Sequence, residues 1–403
     1  MPPLITAHTS PELDDNARAL CEEYWRREGT LGLSWAVPLN QLAERFGLAS
    51  HVLSKIAREN SYGTDEALVC SECGSPHRCT GRSDYDRRRT LRPHACEVCL
   101  RSAREAEETR RREDEAAKRY LLEAVLGSQK RPPVRVSELS LTASMYLLAV
   151  ARASPSEDLG LVGPPETGSP PIAPSTRTSW AALTYLHDSG ILHVDSASPI
   201  DAFDWESGNP INNFDLSRVA WRIAPDESGV PLVAALEEKL RVQAWNPSWT
   251  NEVAELWRAI VLEEATEFLV LSLDDHQLVF SPGEKTSMVL AAALENYSLA
   301  RVRGVIWRAA KDAAAARARG VERWKAAAWA ITSIQAYMER AVAQKWDLNP
   351  YRRHWRATQS TLSQVFFGGL LRLPGYEDKR PSATEVTGHV ELAPNEPSGA
   401  PSP

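Results

Sequence analysis

The chain has 403 residues, of which 43% are hydrophobic and 25% charged, and a formal net charge of −7, as expected of a soluble protein with several domains. No uninterrupted apolar run approaches the roughly 18 residues of a membrane-spanning helix, so we expect no membrane association. The negative charge disfavours nonselective coating of nucleic acid and confines any such binding to a local basic surface.

Residues 38–60 have the pattern of two short helices joined by a tight turn. Pro38 suits the first position of a helix, and Gly47 suits the left-handed residue that ends one. The apolar residues at helical spacing are Leu42, Phe46, Leu48, Leu53 and Ile56. The outer face of the second helix would then carry Ser50, His51, Ser54, Lys55 and Arg58.

With the small Ala43 placed four residues before Gly47, this segment resembles the helix-turn-helix class of DNA-binding modules. The resemblance covers about two dozen residues and implies that the outer face of the second helix enters the major groove of double-stranded DNA. A plain structural hairpin has the same apolar spacing and remains the alternative. Ala49 stands where such modules often carry a capping Ser or Thr, and Ser50 would be the cap if the helix began one residue later.

Two C-x-x-C pairs, Cys70 with Cys73 and Cys96 with Cys99, are separated by 22 residues. Each pair turns the backbone so that two thiolates converge, and together they complete the tetrahedral shell of a structural zinc ion. An iron–sulfur cluster also takes four cysteines, although its common spacings are tighter. Disulfides would need an oxidising compartment. Because no apolar signal segment opens the sequence, we expect reduced thiols in the cytoplasm.

Other residues with metal-binding side chains lie near these pairs. His77 and Cys79 are candidates to replace a ligand or to bind a second ion. Four cysteines already fill a tetrahedral shell, which favours Cys79 as a small loop thiol and His94 as a residue without a metal role. Cys21 falls in a predicted helix and is most simply a buried apolar residue.

The segment between the pairs, which we predict to be a loop, has five arginines within eleven residues: Arg82, Arg87, Arg88, Arg89 and Arg92. Guanidinium groups bind phosphate oxygens in bidentate fashion, so the segment is a candidate clamp for the DNA backbone. A solvated charged loop is the alternative, because Asp84 and Asp86 partly neutralise the arginines.

Residues 101–119 mix Arg with Glu and Asp and predict an exposed helix. A helix beginning at the second pair resembles the layout of treble-clef and zinc-ribbon-like modules.

Beyond this module the sequence predicts a linker and a small mixed domain. Residues 153–178 are rich in Pro, Ser and Gly and predict a linker. A helix over 179–189 followed by strands at 191–194 and 218–223 predicts a winged-helix-like α+β domain, although the loop 195–217 is longer than most wings.

From about residue 250 to 373 the pattern predicts a helical bundle that mediates self-association or binds a protein partner. Its predicted helices span 282–296, 299–319, 321–343 and 360–371, the first capped by Ser281. We interpret four tryptophans as bundle core in preference to a platform for nucleobases: Trp257, Trp307, Trp324 and Trp329. The basic segment 351–356 is interpreted as a solvated connection, with contact to phosphate or to an acidic partner as the alternative.

An enzyme is the rival class of function. Asp201, Asp204 and Glu206 are spaced so that they could hold Mg²⁺ for phosphodiester cleavage. No basic catalytic residue is visibly tied to them. The sequence also has no phosphate-binding loop, nucleophile elbow or zinc-protease motif. We therefore expect these carboxylates to cap turns and face water.

These patterns together predict a mainly α, multidomain protein. Its predicted parts are a helix-turn-helix domain (1–69), a zinc module with a charged helix (70–119), a helical segment (120–152), the linker (153–178), the winged-helix-like domain (179–249), the bundle (250–375) and a disordered tail (376–403). The leading function is sequence-specific transcriptional regulation. The alternatives are a nucleic-acid-associated component of a mobile element or defence system, a metal-dependent nuclease and a zinc-stabilised protein-interaction scaffold.

Overall fold

The computed structural model describes residues 5–28, 34–90, 94–154, 156–164, 169–206, 213–243 and 246–380. They belong to two compact units, residues 1–116 and residues 117–403. The described chain is mainly helical with small antiparallel sheets, which confirms the predicted fold class. None of its described helices combines the length and apolar character needed to cross a bilayer.

The N-terminal unit has short strands around its helices. Its elements are β1 (Thr6–Thr9), α1 (Asp15–Trp25), β2 (Arg27–Glu28), β3 (Ser34–Trp35), α2 (Leu39–Arg45), α3 (Ser50–Asn60), β4 (Ser61–Thr64), α4 (Arg82–Thr90) and the start of α5 (Glu97–Leu126). β1 pairs with β4 and β2 with β3, both antiparallel. The predicted exposed helix 101–119 and the start of the predicted helical segment 120–152 are thus parts of the single helix α5.

Hydrogen bonds at both ends of α1 fix its position in this unit. Asp14 caps α1, because its carboxylate accepts the backbone N–H of Ala17 at 2.7 Å. At the other end of α1, the indole N–H of Trp25 donates to the hydroxyl of Ser61 at 3.0 Å. A Cβ atom at Gly63 would lie 2.7 Å from the Trp25 ring, so only glycine lets β4 cross the indole this closely.

The C-terminal unit combines one three-stranded sheet with a helical assembly. Its further elements are α6 (Leu141–Ala153), β5 (Leu161–Val162), α7 (Thr176–Asp188), β6 (Leu192–Val194), β7 (Trp221–Ile223), α8 (Leu232–Val242), α9 (Trp249–Asp274), α10 (Glu284–Asn296), α11 (Leu299–Ala318), α12 (Arg323–Ala343) and α13 (Thr361–Ser363). α13 continues into the π-helix Gln364–Leu370. The antiparallel sheet has the order β5-β7-β6.

The segment 153–178 does not form the predicted linker in its described part. β5 pairs with β7, and the side chains of Ile172 and Ala173 are buried in the core of the unit. The backbone N–H groups of Thr361 and Leu362 donate to the carbonyls of Pro171 and Ile172, both at 2.9 Å. Composition predicted a linker because these stabilising partners are remote in sequence. The same core continues through the predicted winged-helix-like segment into the helices that follow.

Two predictions about the helices of the bundle are wrong in detail. Ser281 does not cap α10, which begins at Glu284 with Gly283 as its N-cap residue. Of the four tryptophans, only Trp257 lies in the core. The indoles of Trp307, Trp324 and Trp329 are 38%, 65% and 51% exposed.

A buried network of polar side chains joins α9, α11 and the end of the described chain. The carboxylate of Glu264, itself 2% exposed, accepts hydrogen bonds from the guanidinium groups of Arg303 and Arg353 at 3.0 and 3.1 Å. It also accepts the hydroxyls of Ser363 and Tyr376, both at 2.7 Å. Because so many donors converge on one carboxylate, the network ties together segments that are more than 100 residues apart.

The basic segment 351–356 is not a solvated connection. Besides the bond of Arg353 to Glu264, His354 binds Asp275 at 2.7 Å, and Arg356 binds Asp274 and Asp275 at 2.8 Å. Its charged groups therefore form ion pairs largely within the chain.

The predicted disordered tail begins too early, because Tyr376 is buried in the network of Glu264; residues 381–403 lie outside the described residues.

Candidate metal centre and neighbouring basic surface

The four predicted cysteines converge in the N-terminal unit. The sulfur atoms of Cys70, Cys73, Cys96 and Cys99 all lie within 4.8 Å of one another, and those of Cys73 and Cys96 are 3.9 Å apart. A tetrahedral ion with metal–sulfur bonds of about 2.3 Å holds its sulfur atoms about 3.8 Å apart. The cluster therefore has the dimensions needed to hold one metal ion.

The local backbone explains this convergence. Cys70 and Cys73 lie on a turn closed by the bond from the Gly74 N–H to the Cys70 carbonyl at 3.0 Å, and Gly74 takes the left-handed conformation, with φ +68°. The second pair lies at the start of α5, as predicted, with the Leu100 N–H donating to the Cys96 carbonyl at 2.9 Å. Helix N-termini stabilise thiolates through their free N–H groups and dipole.

Hydrogen bonding gives the thiols of the cluster different pKa values. Backbone N–H groups of Cys73 and Cys96 point at the Cys70 sulfur, at 3.5 and 3.1 Å, and lower the pKa of that thiol to about 6. Hydrogen bonds between the thiol of Cys99 and the sulfur atoms of Cys96 and Cys73 instead raise the pKa of Cys99 to about 12. Four thiolates this close repel one another, so full deprotonation of the set requires a cation at its centre.

The structure places the other candidate ligands outside this cluster. Cys79 is fully buried, and burial raises the pKa of its thiol to about 11. Its backbone exchanges two hydrogen bonds with Gly63, at 3.0 and 2.9 Å, which fixes it against β4. His77 is also buried and stacks on His94, with ring centroids 4.4 Å apart. Within the described chain, the four cysteines are the set of potential ligands that converges.

The predicted pair of helices is present, with a tight turn between α2 and α3. Gly47 takes a φ of +63°, and the Leu48 N–H donates to the Ala43 carbonyl at 2.9 Å, which closes the end of α2. Leu42, Ala43 and Leu53 are buried between the helices. Ala49 is the N-cap residue of α3 and forms no side-chain cap. The alternative start with Ser50 as cap is therefore wrong.

The five candidate DNA contacts on α3 differ in exposure. His51, Lys55 and Arg58 are exposed, whereas Ser50 and Ser54 are half-buried. Lys55 lies 3.9 Å from Glu59 in an ion pair that is exposed on both sides, so water and salt screen it strongly.

The arginine-rich segment is not a loop, because residues 82–90 form the helix α4. A local signal was available in the sequence, because Asp84 is an acidic residue in the first turn of α4, and its carboxylate accepts the backbone N–H of Thr80 at 3.2 Å. Four of the candidate arginines lie on α4, namely Arg82, Arg87, Arg88 and Arg89, and their side chains have different surroundings.

Arg82 does not belong to an exposed clamp. It is 7% exposed, and its guanidinium donates to the carbonyls of Tyr24 at 2.6 Å and Val37 at 2.8 Å. Its charge lies over the rings of Tyr24 and Trp35, at 4.8 and 4.7 Å. Arg82 therefore joins α1, the segment before α2 and α4, and we exclude it from the candidate DNA contacts.

Of the other described arginines, Arg88 stabilises neighbouring side chains, whereas Arg87 and Arg89 are exposed. Arg88 is half-buried, bonds to Asp84 at 3.0 Å and reaches the His94 ring at 3.1 Å, so it braces the stacked histidines. Arg87 and Arg89 are exposed, and Arg87 also binds Asp84, at 2.9 Å. Arg92 lies outside the described residues.

α3 and the metal-binding segment share one hydrophobic core. Leu53 and Ala57 of α3 pack in the same cluster as Cys79 and Tyr85. On the surface, a guanidinium nitrogen of Arg58 lies 3.5 Å from the hydroxyl of Ser83, and a Cβ at Gly81 would lie 3.0 Å from the Arg58 Nε. Sequence reasoning missed this contact because it joins α3 to α4 across 25 residues.

Two of the three carboxylates proposed for a nuclease, Asp201 and Asp204, form local bonds in the C-terminal unit. Asp201 pairs with Arg218, and Asp204 accepts the side-chain amide of Asn213 at 2.8 Å and the backbone N–H of Glu206 at 3.1 Å. These contacts close turns, as expected for exposed carboxylates in a loop.

The fold and the site define a mainly helical protein with a four-cysteine cluster able to hold a metal ion. Comparison with protein-family models, with curated proteins and with solved structures found no match to this chain.

Proposed function

We propose that the N-terminal unit is a zinc-stabilised module that reads double-stranded DNA through α3, and that the protein is a sequence-specific regulator of transcription. Zinc is the proposed ion because a closed shell of four cysteine sulfurs is its usual structural site. A cytoplasmic location is part of this proposal, since thiolate ligands persist where thiols stay reduced.

The contact of Arg58 with the start of α4 carries this proposal. It makes the exposed side chains of Lys55 and Arg58 continuous with the face of α4 that bears Ser83 and Arg87. We call these four residues the α3–α4 surface. Most of the affinity of a protein for DNA comes from cationic groups that neutralise phosphates and hold the reading element in register. The buried core beneath this surface holds α3 and α4 together.

In this proposal the N-terminal part of α3 contacts the bases. Ser50, His51 and Ser54 lie in its first turns, where recognition helices meet base edges in the major groove. Hydroxyl and imidazole groups can donate and accept hydrogen bonds there. Arg89 is a further candidate for phosphate contact because its side chain is exposed on α4.

The test is binding of the purified, metal-quantified protein to random-sequence duplex DNA across a salt series. We expect about one zinc ion per chain and a steep loss of affinity with salt. Lys55→Ala and Arg58→Gln should each weaken binding and reduce the salt slope by about one. The Gln side chain retains a polar group near Ser83, so folding should not change.

Arg110→Ala is the matched control, because Arg110 is an exposed arginine of the same unit about 17 Å along α5 from Cys99. It should bind DNA like the unaltered protein. Stoichiometric zinc without duplex binding at low salt would refute the DNA-reading function and favour a zinc-stabilised scaffold. Equal losses in all three variants would reject the α3–α4 surface.

A further inference from the structure

The C-terminal unit contains a cavity of about 200 Å³ lined by aromatic rings and cations. α9 contributes Phe268 and Ser272, α11 contributes Trp307 and Lys311, and the segment after α12 contributes Tyr351. Pockets for drug-sized ligands have volumes of about 300–1,000 Å³. This smaller cavity is therefore suited to a single planar ring system.

The aromatic walls are held in place by contacts around the cavity. The rings of Trp307 and Tyr351 stack with centroids 5.1 Å apart and planes inclined by 26°. On the neighbouring wall, the His354 ring packs edge-on against Phe268 at 6.0 Å and bonds to Asp275 at 2.7 Å. These contacts preorganise a site for a flat ligand, because little side-chain freedom is left to lose on binding.

One buried hydroxyl at the cavity finds no partner among the described residues. Ser272 is 5% exposed, and its Oγ is inaccessible and forms no hydrogen bond. Buried polar atoms in native proteins are almost always bonded, and each exception needs an explanation. Ser272 lines the cavity, and rotation of its side chain would turn the hydroxyl toward a polar ring edge of a bound ligand.

The charge around the cavity is positive. Lys311 lies with its ammonium 4.2 Å from the centroid of the Trp307 ring. Within the described chain, neither Lys311 nor the exposed Arg352 forms an ion pair with a carboxylate. Asp275 provides the single carboxylate among the residues that line the cavity, and it pairs with His354 and Arg356.

We infer that this cavity binds a nucleotide. The base would lie against the Trp307 and Tyr351 wall with a polar edge toward Ser272, and the phosphate would be bound by Lys311 and Arg352. The same chemistry is offered by a free mononucleotide and by an unpaired nucleotide of a single strand. This inference concerns the C-terminal unit and does not rest on DNA reading by α3.

The test is calorimetric titration of the full-length protein with adenosine monophosphate, cytidine monophosphate, adenosine, inorganic phosphate and a short single-stranded oligonucleotide. Trp307→Leu should weaken nucleotide binding about tenfold or more through loss of stacking. Lys311→Gln should weaken adenosine monophosphate but leave adenosine unchanged, because only the former carries the phosphate. Ser272→Ala should weaken both.

α12 offers a matched control. Trp324 is also exposed and has the ammonium of Lys325 5.2 Å from its ring centroid, but it does not line this cavity. Trp324→Leu and Lys325→Gln should therefore leave binding unchanged.

The pattern of binding also separates the two sources of the nucleotide. Mononucleotide binding that is lost in the cavity variants supports a free nucleotide. Oligonucleotide binding that is weakened by the same variants, without mononucleotide binding, supports a single strand. Failure of every probe to bind overturns the inference, as does equal affinity in the cavity and α12 variants. Lys311 is exposed, so Lys311→Gln keeps the test decisive if Trp307→Leu does not fold.

Discussion

The phenol of Tyr85 donates a hydrogen bond of 2.6 Å to a carboxylate oxygen of Asp65, and both side chains are buried. Burial, together with this carboxylate, raises the pKa of the phenol to about 12. Asp65 lies just after β4, and Tyr85 lies in α4 between the two cysteine pairs. The bond therefore joins the strand that follows α3 to the segment that holds the metal-binding cysteines.

Tyr85→Phe should destabilise the N-terminal unit by about 1–3 kcal/mol, because it removes the phenol donor from a buried carboxylate. The measurement is chemical denaturation of the metal-loaded protein, followed by hydrogen exchange in peptides from residues 60–90. Tyr120→Phe is the control, since Tyr120 is 74% exposed and its hydroxyl is solvated. Equal stability of the two variants would contradict a stabilising role for the Tyr85 bond.

Removal of the metal should loosen residues 70–100 while α9 to α12 remain protected, because the four sulfurs belong to the N-terminal unit. A chelator or Cys96→Ser should produce this change in hydrogen exchange, together with loss of bound metal. Cys79→Ala should retain one ion per chain, because Cys79 lies outside the cluster. Loss of metal in Cys79→Ala would show that the ligand set differs from the four cysteines.

Glu264→Gln should destabilise the C-terminal unit by about 3–5 kcal/mol. The change removes the more deeply buried of the two carboxylates, Glu264 and Glu377, that pair with the buried Arg303 and the largely buried Arg353. Thermal unfolding of the C-terminal helices would measure the loss. Glu255→Gln is the matched control on α9, where the side chain is exposed; a similar loss there would point to a general effect on the helix.

Glu267 should make the C-terminal unit less stable as pH rises. Burial and the neighbouring Glu264 raise the pKa of Glu267 to about 7, whereas an unfolded glutamate titrates near about 4.3. The carboxyl of Glu267 therefore binds a proton more tightly in the folded state than in the unfolded state. Stability is lost as pH rises from about 4.3 and the loss is complete above about 7.

Replacing this carboxyl removes that dependence. Glu267→Gln should be more stable than the unaltered protein by about 1–2 kcal/mol at pH 8, a value reduced for partial solvent screening, and the gain should shrink at pH 5. Denaturation midpoints at the two pH values measure the difference. A gain that is the same at both would show that titration of Glu267 does not cause it.

The sequence by itself determined the features whose geometry is local. Two C-x-x-C pairs identified the converging sulfurs, because each pair needs only a short turn to aim its thiols together. The presence of α2 and α3 followed from helical periodicity and from Gly47, which takes the left-handed conformation that its position requires, although α2 begins at Leu39, one residue later than predicted, with Pro38 as its N-cap residue. These elements depend on residues only a few positions apart.

The tertiary structure decided the roles of long, charged and aromatic side chains. The sequence pattern predicted Arg82 on the surface, but its guanidinium is buried against the rings of Tyr24 and Trp35. Arg353 is largely buried because Glu264 provides a carboxylate that pairs with it. The exposed indole of Trp307 lies on a cavity wall only because Tyr351 packs beside it. Burial of such groups depends on partners distant in the chain, and the periodicity of a single segment contains no information about them.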